Sequence, residues 1–266
     1  LPLSLCRCTA CGHVQLRESL APAFYEQYSF VGSGAAGHRS HLAWVAEHIT
    51  TRLGLTRPSV LEIGASDGAL LELLRARGCE VGGFEPARSA AALARQRGLN
   101  VTSAFFGADA AEHSPVRCPG VIVIRHVLEH LDDFGAVFRG IESLRGPQTR
   151  LVVEVPDLVS AVRAGIRSNF YHPHPNHFDE YRLARLLSHH GWAVCHQQLV
   201  PVFGGSLFVV AMPEGVTPPS MSPPLAGAAL DPGEFERFVA GWQHWCEQTR
   251  EFFNEIAEGQ GHTIDG

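Results

Sequence analysis

The stretch VLEIGASDGALLELL, residues 60–74, decides how the chain folds. Its apolar start is typical of a buried strand, and its leucines continue at helical spacing after a glycine turn. The turn from Gly64 to Gly68 fits two patterns. One is the Gly-x-Ser-x-Gly elbow, which would expose Ser66 as a nucleophile between a strand and a helix. The other is a turn that lets a cofactor approach the backbone at a helix N-terminus.

Strands and helices alternate on either side of this unit. Strands are predicted within 59–63, 80–86, 99–106, 120–131 and 150–156, with a closing pair within 194–212. Helices are predicted within 41–53, 69–78, 87–98, 132–144, 180–191 and 234–259. Strict alternation predicts an α/β fold in which a parallel sheet of seven strands is covered by helices on both faces.

Three regions are expected along the chain. They are a partial zinc knuckle and linker in 1–40, the α/β domain in 41–213, and a Pro-rich linker with an amphipathic helix in 214–266. That helix carries an apolar stripe formed by Phe235, Phe238, Val239, Trp242, Trp245, Phe252 and Ile256. Because the chain starts without methionine and stops directly after this stripe, we expect both ends to be cut.

The composition argues against several classes of binding partner. The chain of 266 residues has 21 Lys+Arg against 27 Asp+Glu and no basic run, which argues against nucleic acid and anionic membranes. No apolar run approaches the roughly 18 residues of a transmembrane helix, and no signal pattern opens the chain. We therefore expect a cytoplasmic protein. Seven scattered cysteines do not suggest a disulfide framework.

The order of the strands favours a cofactor turn over a serine elbow. A hydrolase elbow follows several strands, whereas this turn follows the first strand of the domain. Glu85 ends the next strand, about 20 positions on, where an acidic residue takes ribose hydroxyls. Glu62 and Asp67 would repel a pyrophosphate, but carboxylates accept hydrogen bonds from the ammonium of an amino-acid tail. This predicts S-adenosylmethionine, bound by Glu62, Gly64, Ala65, Asp67, Gly68 and Glu85.

Two cysteines near the start have the spacing of a zinc knuckle. Cys8-x-x-Cys11 places two thiolates on one tight turn. A structural zinc takes four ligands, which Cys6 and His13 or residues before Leu1 would have to complete. Unligated cysteines are the alternative.

Five segments together resemble one family. VLEIGASDGALL, GGFEPA, RHVLEHL, VVEVPDL and PVFGGSLFVV, in this order, are similar to the sugar C-methyltransferases of deoxysugar and antibiotic biosynthesis, and CRCTACGHVQL resembles their zinc-binding N-terminal part. The resemblance implies a Rossmann-like S-adenosylmethionine domain, a small zinc domain of which Cys8 and Cys11 remain, and a further C-terminal domain. It also implies a nucleotide-linked sugar or a related natural product as acceptor.

The stretch NFYHPHPNHFDEY, residues 169–181, follows the fifth strand on the rim where open α/β sheets bind substrates. The family has a Tyr-His-Glu-His motif there, which implies acid/base roles for Tyr171 and His174, with Pro173 in place of the glutamate. His172 and His177 are further catalytic candidates. The three histidines would alternatively bind a metal or form a purely structural loop.

Other rim residues follow the second, third and fourth strands. Arg125, His126, Glu129 and His130 leave the fourth strand towards the cleft, with His126 near the methionine tail and His130 more plausibly capping the next helix. Pro86 follows Glu85, and Phe105 and Phe106 would flank the adenine.

The reaction that these features favour is methyl transfer to carbon. A C–H beside a ketone must lose its proton, and a histidine near neutral pKa suits that task. Transfer to oxygen or nitrogen is the alternative because it asks less of the protein. More remote alternatives are a serine hydrolase that uses Ser66 and a module that binds the cofactor without turnover.

Overall fold

The computed structural model describes residues 3–27, 36–216 and 230–259. A small N-terminal part comes first. It contains β1 (Leu5–Arg7), β2 (Val14–Leu16) and the short helix α1 (Pro22–Glu26). Helix α2 (Ala36–Thr51) then leads into the main domain and begins five residues before the predicted helix, so the boundary predicted after residue 40 falls inside it.

The main domain alternates strands and helices as the sequence predicts. Its first half contains β3 (Ser59–Ile63), α3 (Ala69–Ala76), β4 (Glu80–Phe84), α4 (Arg88–Gln96), β5 (Asn100–Thr102), α5 (Ala108–Ala111) and β6 (Val121–Arg125). Its second half contains α6 (Phe134–Leu144), β7 (Arg150–Pro156), α7 (Leu158–Arg163), β8 (Asn176–His177), α8 (Glu180–His189), β9 (Trp192–Val200) and β10 (Ser206–Pro213). Helix α9 (Pro232–Gly259) follows.

Seven strands form the central sheet in the order β5-β4-β3-β6-β7-β10-β9. The first five are parallel, but β10 is antiparallel to both β7 and β9, so the prediction of a fully parallel sheet is wrong at this edge. The reason is the connection between β9 and β10, which contains no helix. A short connection joins antiparallel strands, while a parallel pair needs a long crossover.

Alternating residues of the strands bury both faces of the sheet. On β6, Ile122 and Ile124 pack in one apolar cluster, while Val121 and Val123 pack in the cluster on the opposite face. This follows from the period of two along a strand. Helix α2 covers the second face with the residues that helical spacing selects, and Leu42, Val45, Ile49 and Leu53 are all buried.

A second, three-stranded sheet lies beside the main one. Strands β1 and β2 form an antiparallel hairpin, and β2 also pairs with β8, where Val14 lies opposite His177. The sequence predicts only an irregular stretch at Asn176 and His177, whereas the structure has β8 there. The N-terminal part is therefore bound directly to the histidine stretch.

Two further predictions need correction. The strand predicted at 99–106 is confined to Asn100–Thr102, and Phe105 and Phe106 lie in the loop that follows. The apolar stripe of α9 is buried at Phe235 and Phe238, but Trp245 is exposed. The side chains of Phe252 and Ile256, and residues 217–229 of the predicted linker, lie outside what the structure describes. Among the described residues, no helix has the length and apolar content needed to cross a bilayer.

Candidate active site

A cavity of about 370 Å³ opens at the carboxyl ends of the parallel strands. Strands β3, β4, β6 and β7 all end at its wall, and helices α1 and α2 close it from the side. This is the edge at which open α/β sheets bind ligands. The cavity is also within the range of volumes typical of small-molecule sites.

The glycine turn after β3 forms the cavity floor. The N–H groups of Gly64 and Ala65 both donate to the carbonyl oxygen of Phe84, at 2.9 Å each, which fixes the turn against the end of β4. Gly64 has φ +78°, and a Cβ there would lie 2.3 Å from Cγ2 of Val127. Only glycine fits this position, because it accepts a positive φ and has no side chain.

Gly68 ends the turn with φ +77° but does not line the cavity. A Cβ at this position would lie 2.3 Å from Cδ1 of Leu99 and 3.1 Å from Cβ of Ala94. Its role in binding the cofactor stays a prediction. Gly68 allows α3 to pack closely on α4, which is the packing role of a glycine at the start of such a helix.

Two buried acids stand beside the turn, as the sequence suggested. Oε2 of Glu62 and Oδ1 of Asp67 have no hydrogen-bond partner in the described part of the chain. Burial, together with the charges of Glu85 and Asp67, raises the pKa of Glu62 to about 8, although Arg125 opposes the shift. The second oxygen of Asp67 accepts from Arg97 at 3.0 Å. The carboxyl group of Glu62 is thus mostly protonated at neutral pH.

Glu85 directly follows β4 and holds the glycine turn in place by hydrogen bonds. Its two carboxylate oxygens accept hydrogen bonds from the N–H groups of Ser66 and Ala87, each at 2.8 Å. Pro86 and Phe106 line the cavity next to it. Phe106 packs edge-on against Phe84, whereas Phe105 lines the cavity with an exposed ring.

Side chains of β6 and β7 form a network of buried ion pairs beside the cavity wall. Nε of Arg125 donates to Oε2 of Glu154 at 2.6 Å, and Nε2 of His41 lies 2.7 Å from Oε1 of the same carboxylate. Burial alone would raise the pKa of Glu154, but Arg125, His126 and His41 hold it well below its ordinary value. Nη2 of Arg125 is buried without a hydrogen-bond partner among the described residues.

His126 lies between two carboxylates. Its ring nitrogens are 3.3 Å from Oε1 of Glu129 and 3.5 Å from Oε1 of Glu154. Burial lowers the pKa of His126, but these two acids outweigh burial and raise the pKa to about 9. His126 is therefore an imidazolium at neutral pH, with a fifth of its side chain exposed.

The histidine stretch brings Tyr171 and His174 to the opposite wall. Nδ1 of His174 lies 3.1 Å from the carbonyl oxygen of Asn169, and a carbonyl only accepts, so Nδ1 carries the proton. Nε2 is then the acceptor, and the Tyr171 hydroxyl donates to it at 3.1 Å. Burial lowers the pKa of His174 to about 4, so its imidazole is neutral at pH 7.

His172 and His177 do not line the cavity. His177 is buried in β8 and stacks on Phe170, with ring centroids 4.5 Å apart. The three histidines of the stretch therefore do not gather round one point, because a turn from Tyr171 to His174 and the strand β8 separate their side chains. Within the described residues, the group with metal-ligand spacing is instead Glu129, His130 and His174.

Sequence reasoning missed some residues that the fold brings to the cavity. Tyr25 of α1 lines it, and its hydroxyl donates to the carbonyl oxygen of Pro173 at 3.1 Å. His130, which the sequence already places at the rim of the cleft, donates from Nδ1 to the same carbonyl oxygen at 2.5 Å. His38 and Phe203 also line the wall. These residues come from segments that are distant in the sequence and meet only through the sheet topology. No local sequence pattern therefore predicts that they line the cavity.

The predicted zinc knuckle has the expected turn but only two of its ligands. The Gly12 N–H donates to the carbonyl oxygen of Cys8, and neighbouring N–H groups, that of Cys11 first, lower the pKa of the Cys8 thiol. His13 is engaged with Asn176, and no third ligand joins Cys8 and Cys11 in the described ranges. A zinc ion held by Cys8 and Cys11 stays a prediction, which metal analysis of the purified chain tests.

Comparison with known proteins agrees with this fold. A family model described as a methyltransferase domain matches residues 38–197. C-methyltransferase NovU from Streptomyces niveus is 32% identical over 216 residues, which are 80% of this chain and 51% of that protein. The chain therefore spans about half the length of this curated relative.

Solved structures share the architecture at low identity. The PH0226 protein from Pyrococcus horikoshii OT3 superposes with a TM-score of 0.56 at 14% identity, covering 74% of this chain and 100% of the other. Magnesium protoporphyrin IX methyltransferase from Synechocystis PCC 6803, solved with bound S-adenosylhomocysteine, gives 0.52 at 16% identity, covering 66% and 83%. These likenesses show the fold.

The family match favours a cofactor turn over the serine elbow of a hydrolase as the interpretation of the glycine turn. Ser66 lines the cavity floor, with φ +49° and its N–H bound to Glu85. The chain belongs to the methyltransferase-domain family.

Proposed function

We propose that this methyltransferase alkylates a carbon atom beside a ketone, in a nucleotide-linked sugar or a related natural-product metabolite. The observation that carries the proposal is the pair formed by Tyr171 and His174, which opens onto the same cavity as the glycine turn. Transfer to oxygen or nitrogen needs no group that removes a proton from carbon. A buried, neutral imidazole hydrogen-bonded to a phenol is such a group.

The cavity fits the amino-acid tail of S-adenosylmethionine. Among the described residues, Oε2 of Glu62 is an acceptor without a donor, and Nη2 of Arg125 is a donor without an acceptor. A zwitterion supplies the missing ammonium and carboxylate. Buried polar groups without partners are costly, so both positions favour such a ligand.

The other end of the cofactor would lie at the end of β4. Glu85 retains lone pairs on both oxygens for ribose hydroxyls, because each oxygen accepts one backbone N–H. Pro86 and Phe106 offer apolar surface for the base. We also assign Gly64, Ala65, Asp67 and His126 to this site. When bound, the cofactor supplies an electrophilic methyl group.

The protein would contribute a proton acceptor and a fixed orientation. The proton of the acceptor C–H moves to the phenolic oxygen of Tyr171 while the phenol's own proton moves to Nε2 of His174. The electron pair of the broken C–H bond stays on the acceptor as an enolate. Holding the nucleophilic carbon in line then supplies much of the acceleration.

The test is a methylation assay with acceptors of defined chemistry. The purified chain is incubated with S-adenosylmethionine and a thymidine diphosphate-linked 4-keto-6-deoxyhexose, and the product is analysed by NMR. A new methyl group on carbon is the expected result. Methylation of the same sugar only at oxygen, or of its amino analogue only at nitrogen, would contradict the proposal.

His174→Ala should abolish carbon methylation and leave S-adenosylhomocysteine affinity near that of the wild type. His172→Ala is the matched control, because it removes a neighbouring imidazole that does not line the cavity. The loss in His174→Ala should be roughly 10²- to 10⁴-fold in kcat, the usual contribution of a general base. Parallel loss of turnover and cofactor affinity would make His174 a structural residue.

A further inference from the structure

Glu129 is a buried carboxylate that faces the base across the cavity wall. One side-chain ligand atom from each of Glu129, His130 and His174 lies within 4.8 Å of the others. Glu129 is 1% exposed, and its Oε2 has no hydrogen-bond partner among the described residues. An acid buried to this depth is normally paired, and Glu129 has His126 at 3.3 Å on its Oε1 side.

The carboxylate is ionised in spite of its burial. Burial favours the protonated form, but contact with His126 and the proximity of His130 and His174 lower the pKa of Glu129 below its ordinary value. The same charge acts on His174. Burial dominates there and keeps the ring neutral, and Glu129 is the strongest influence in the opposite direction.

The histidine stretch itself offers His174 no acid. Position 173, the residue before it, is a proline, whose carbonyl oxygen is taken by Tyr25 and His130. Within the stretch, the ring of Tyr171 lies 4.3 Å from the ring of His174, centroid to centroid. The ring of His130, which follows β6, lies 4.8 Å away. Glu129 reaches the same point from the end of β6, a different element of the fold.

We infer that Glu129 is the counter-charge of the imidazolium that forms on His174 when the acceptor loses its proton. This deepens the proposed function and rests on it. In the step described above, the C–H bond breaks, the proton passes through Tyr171 to Nε2, and the negative charge stays on the acceptor. A positive charge then appears on His174, and the carboxylate of Glu129 stabilises it. Glu129 acts through His174 and is a positioning residue.

Glu129→Gln removes the charge and preserves the shape of the side chain. An opposite charge within about 4–6 Å shifts a pKa by about 1 to 3 units, so proton abstraction should slow roughly 10- to 1000-fold. The direct readout is loss of deuterium to water from the carbon beside the ketone of the deuterated thymidine diphosphate-linked 4-keto-6-deoxyhexose, with S-adenosylhomocysteine bound. Affinity for S-adenosylhomocysteine should stay unchanged.

Glu129→Asp separates charge from packing. A shorter side chain that keeps its charge should retain more exchange activity than the isosteric amide. The reverse order, with Gln more active than Asp, is what a purely structural role gives and would overturn the inference. Glu80→Gln, an exposed position at the start of β4, is the control for a change in net charge.

The experiments distinguish an error in the proposed function from an error in the role assigned to Glu129. If the wild type exchanges no deuterium of the probe, the proposal of carbon methylation fails for that acceptor. The role of Glu129 is then tested separately, by measuring the pKa of the His174 ring by NMR titration. A lower His174 pKa in Glu129→Gln supports the inference, and an unchanged one overturns it. Turnover that is lost with EDTA and restored by Zn²⁺ would make the three residues metal ligands and also overturn it.

Discussion

At the scale of single residues, we expect Glu62 to make the affinity for the cofactor depend on pH. Its pKa lies near 8 because the carboxyl is buried, so most of it is protonated at pH 6 to 7. An ammonium group binds the ionised form, and binding must then release a proton. We expect the Kd of S-adenosylhomocysteine to fall as pH rises towards 8, by up to about tenfold per unit. Calorimetry at pH 6, 7 and 8 in buffers of different ionisation enthalpy measures both effects.

Glu62→Gln is the matched variant. It should weaken binding and abolish the release of the proton, because an amide has no proton to lose in this range. If the variant keeps the same pH dependence, the titrating group is another one and the assignment of Glu62 to the ammonium fails.

The residues of the site were predictable to the extent that they leave parallel strands. Glu62, Glu85, Arg125 and His126 come directly at strand ends, and such ends meet at one edge of the sheet. The contact between Glu129 and His174 was not predictable, although both were expected on that rim. It depends on the turn that places His174 over the end of β6, and no spacing in the sequence encodes that distance.

At the scale of elements, Gly68 sets how closely α3 approaches α4. Gly68→Ala would add the cost of a left-handed backbone, about 1–2 kcal/mol, to a clash with Leu99, about 1–3 kcal/mol. Gly54 has a similar φ of +68° with open space around its Cβ position. Gly54→Ala should therefore show only the backbone cost. Urea denaturation of both variants measures the difference, and equal losses would refute the packing role.

Elements with a local pattern were predicted well, and elements defined by distant partners were not. The spacing of apolar residues gave the buried face of α2, since one helix face suffices to specify it. The direction of β10 depends on the connection before it, and the existence of β8 depends on pairing with β2, across most of the domain. Two residues, Asn176 and His177, carry no pattern that marks a strand.

At the scale of the whole molecule, opposing groups predict maximum stability near pH 6.5. Burial lowers the pKa of seven histidines in the described ranges. For four of them the lowered pKa is about 4 at His38, His48 and His174 and about 3 at His177. Their unfolded forms bind protons first, so stability falls as pH drops below 6.5. Glu62, raised to about 8, acts in the opposite direction, but four histidines outweigh it there.

Above pH 6.5 the sign reverses. Glu62 and His126 have folded pKa values raised to about 8 and about 9, so the stability they contribute is lost as pH rises through those values. Thermal unfolding between pH 4.5 and 9 should give a Tm that is highest near 6.5 and falls on both sides. His48→Gln should flatten the acid side, and a Tm that is constant from pH 6.5 to 5 would contradict the assignment.

The three-stranded sheet joins the first residues of the chain to the acceptor side of the cavity. Strand β2 is hydrogen-bonded to β8, and β8 begins two residues after His174. Tyr25 reaches the same loop from α1. The N-terminal segment thus supports the loop that carries Tyr171 and His174. Under the proposed function, exchanging this segment between related enzymes should change acceptor preference more than cofactor affinity.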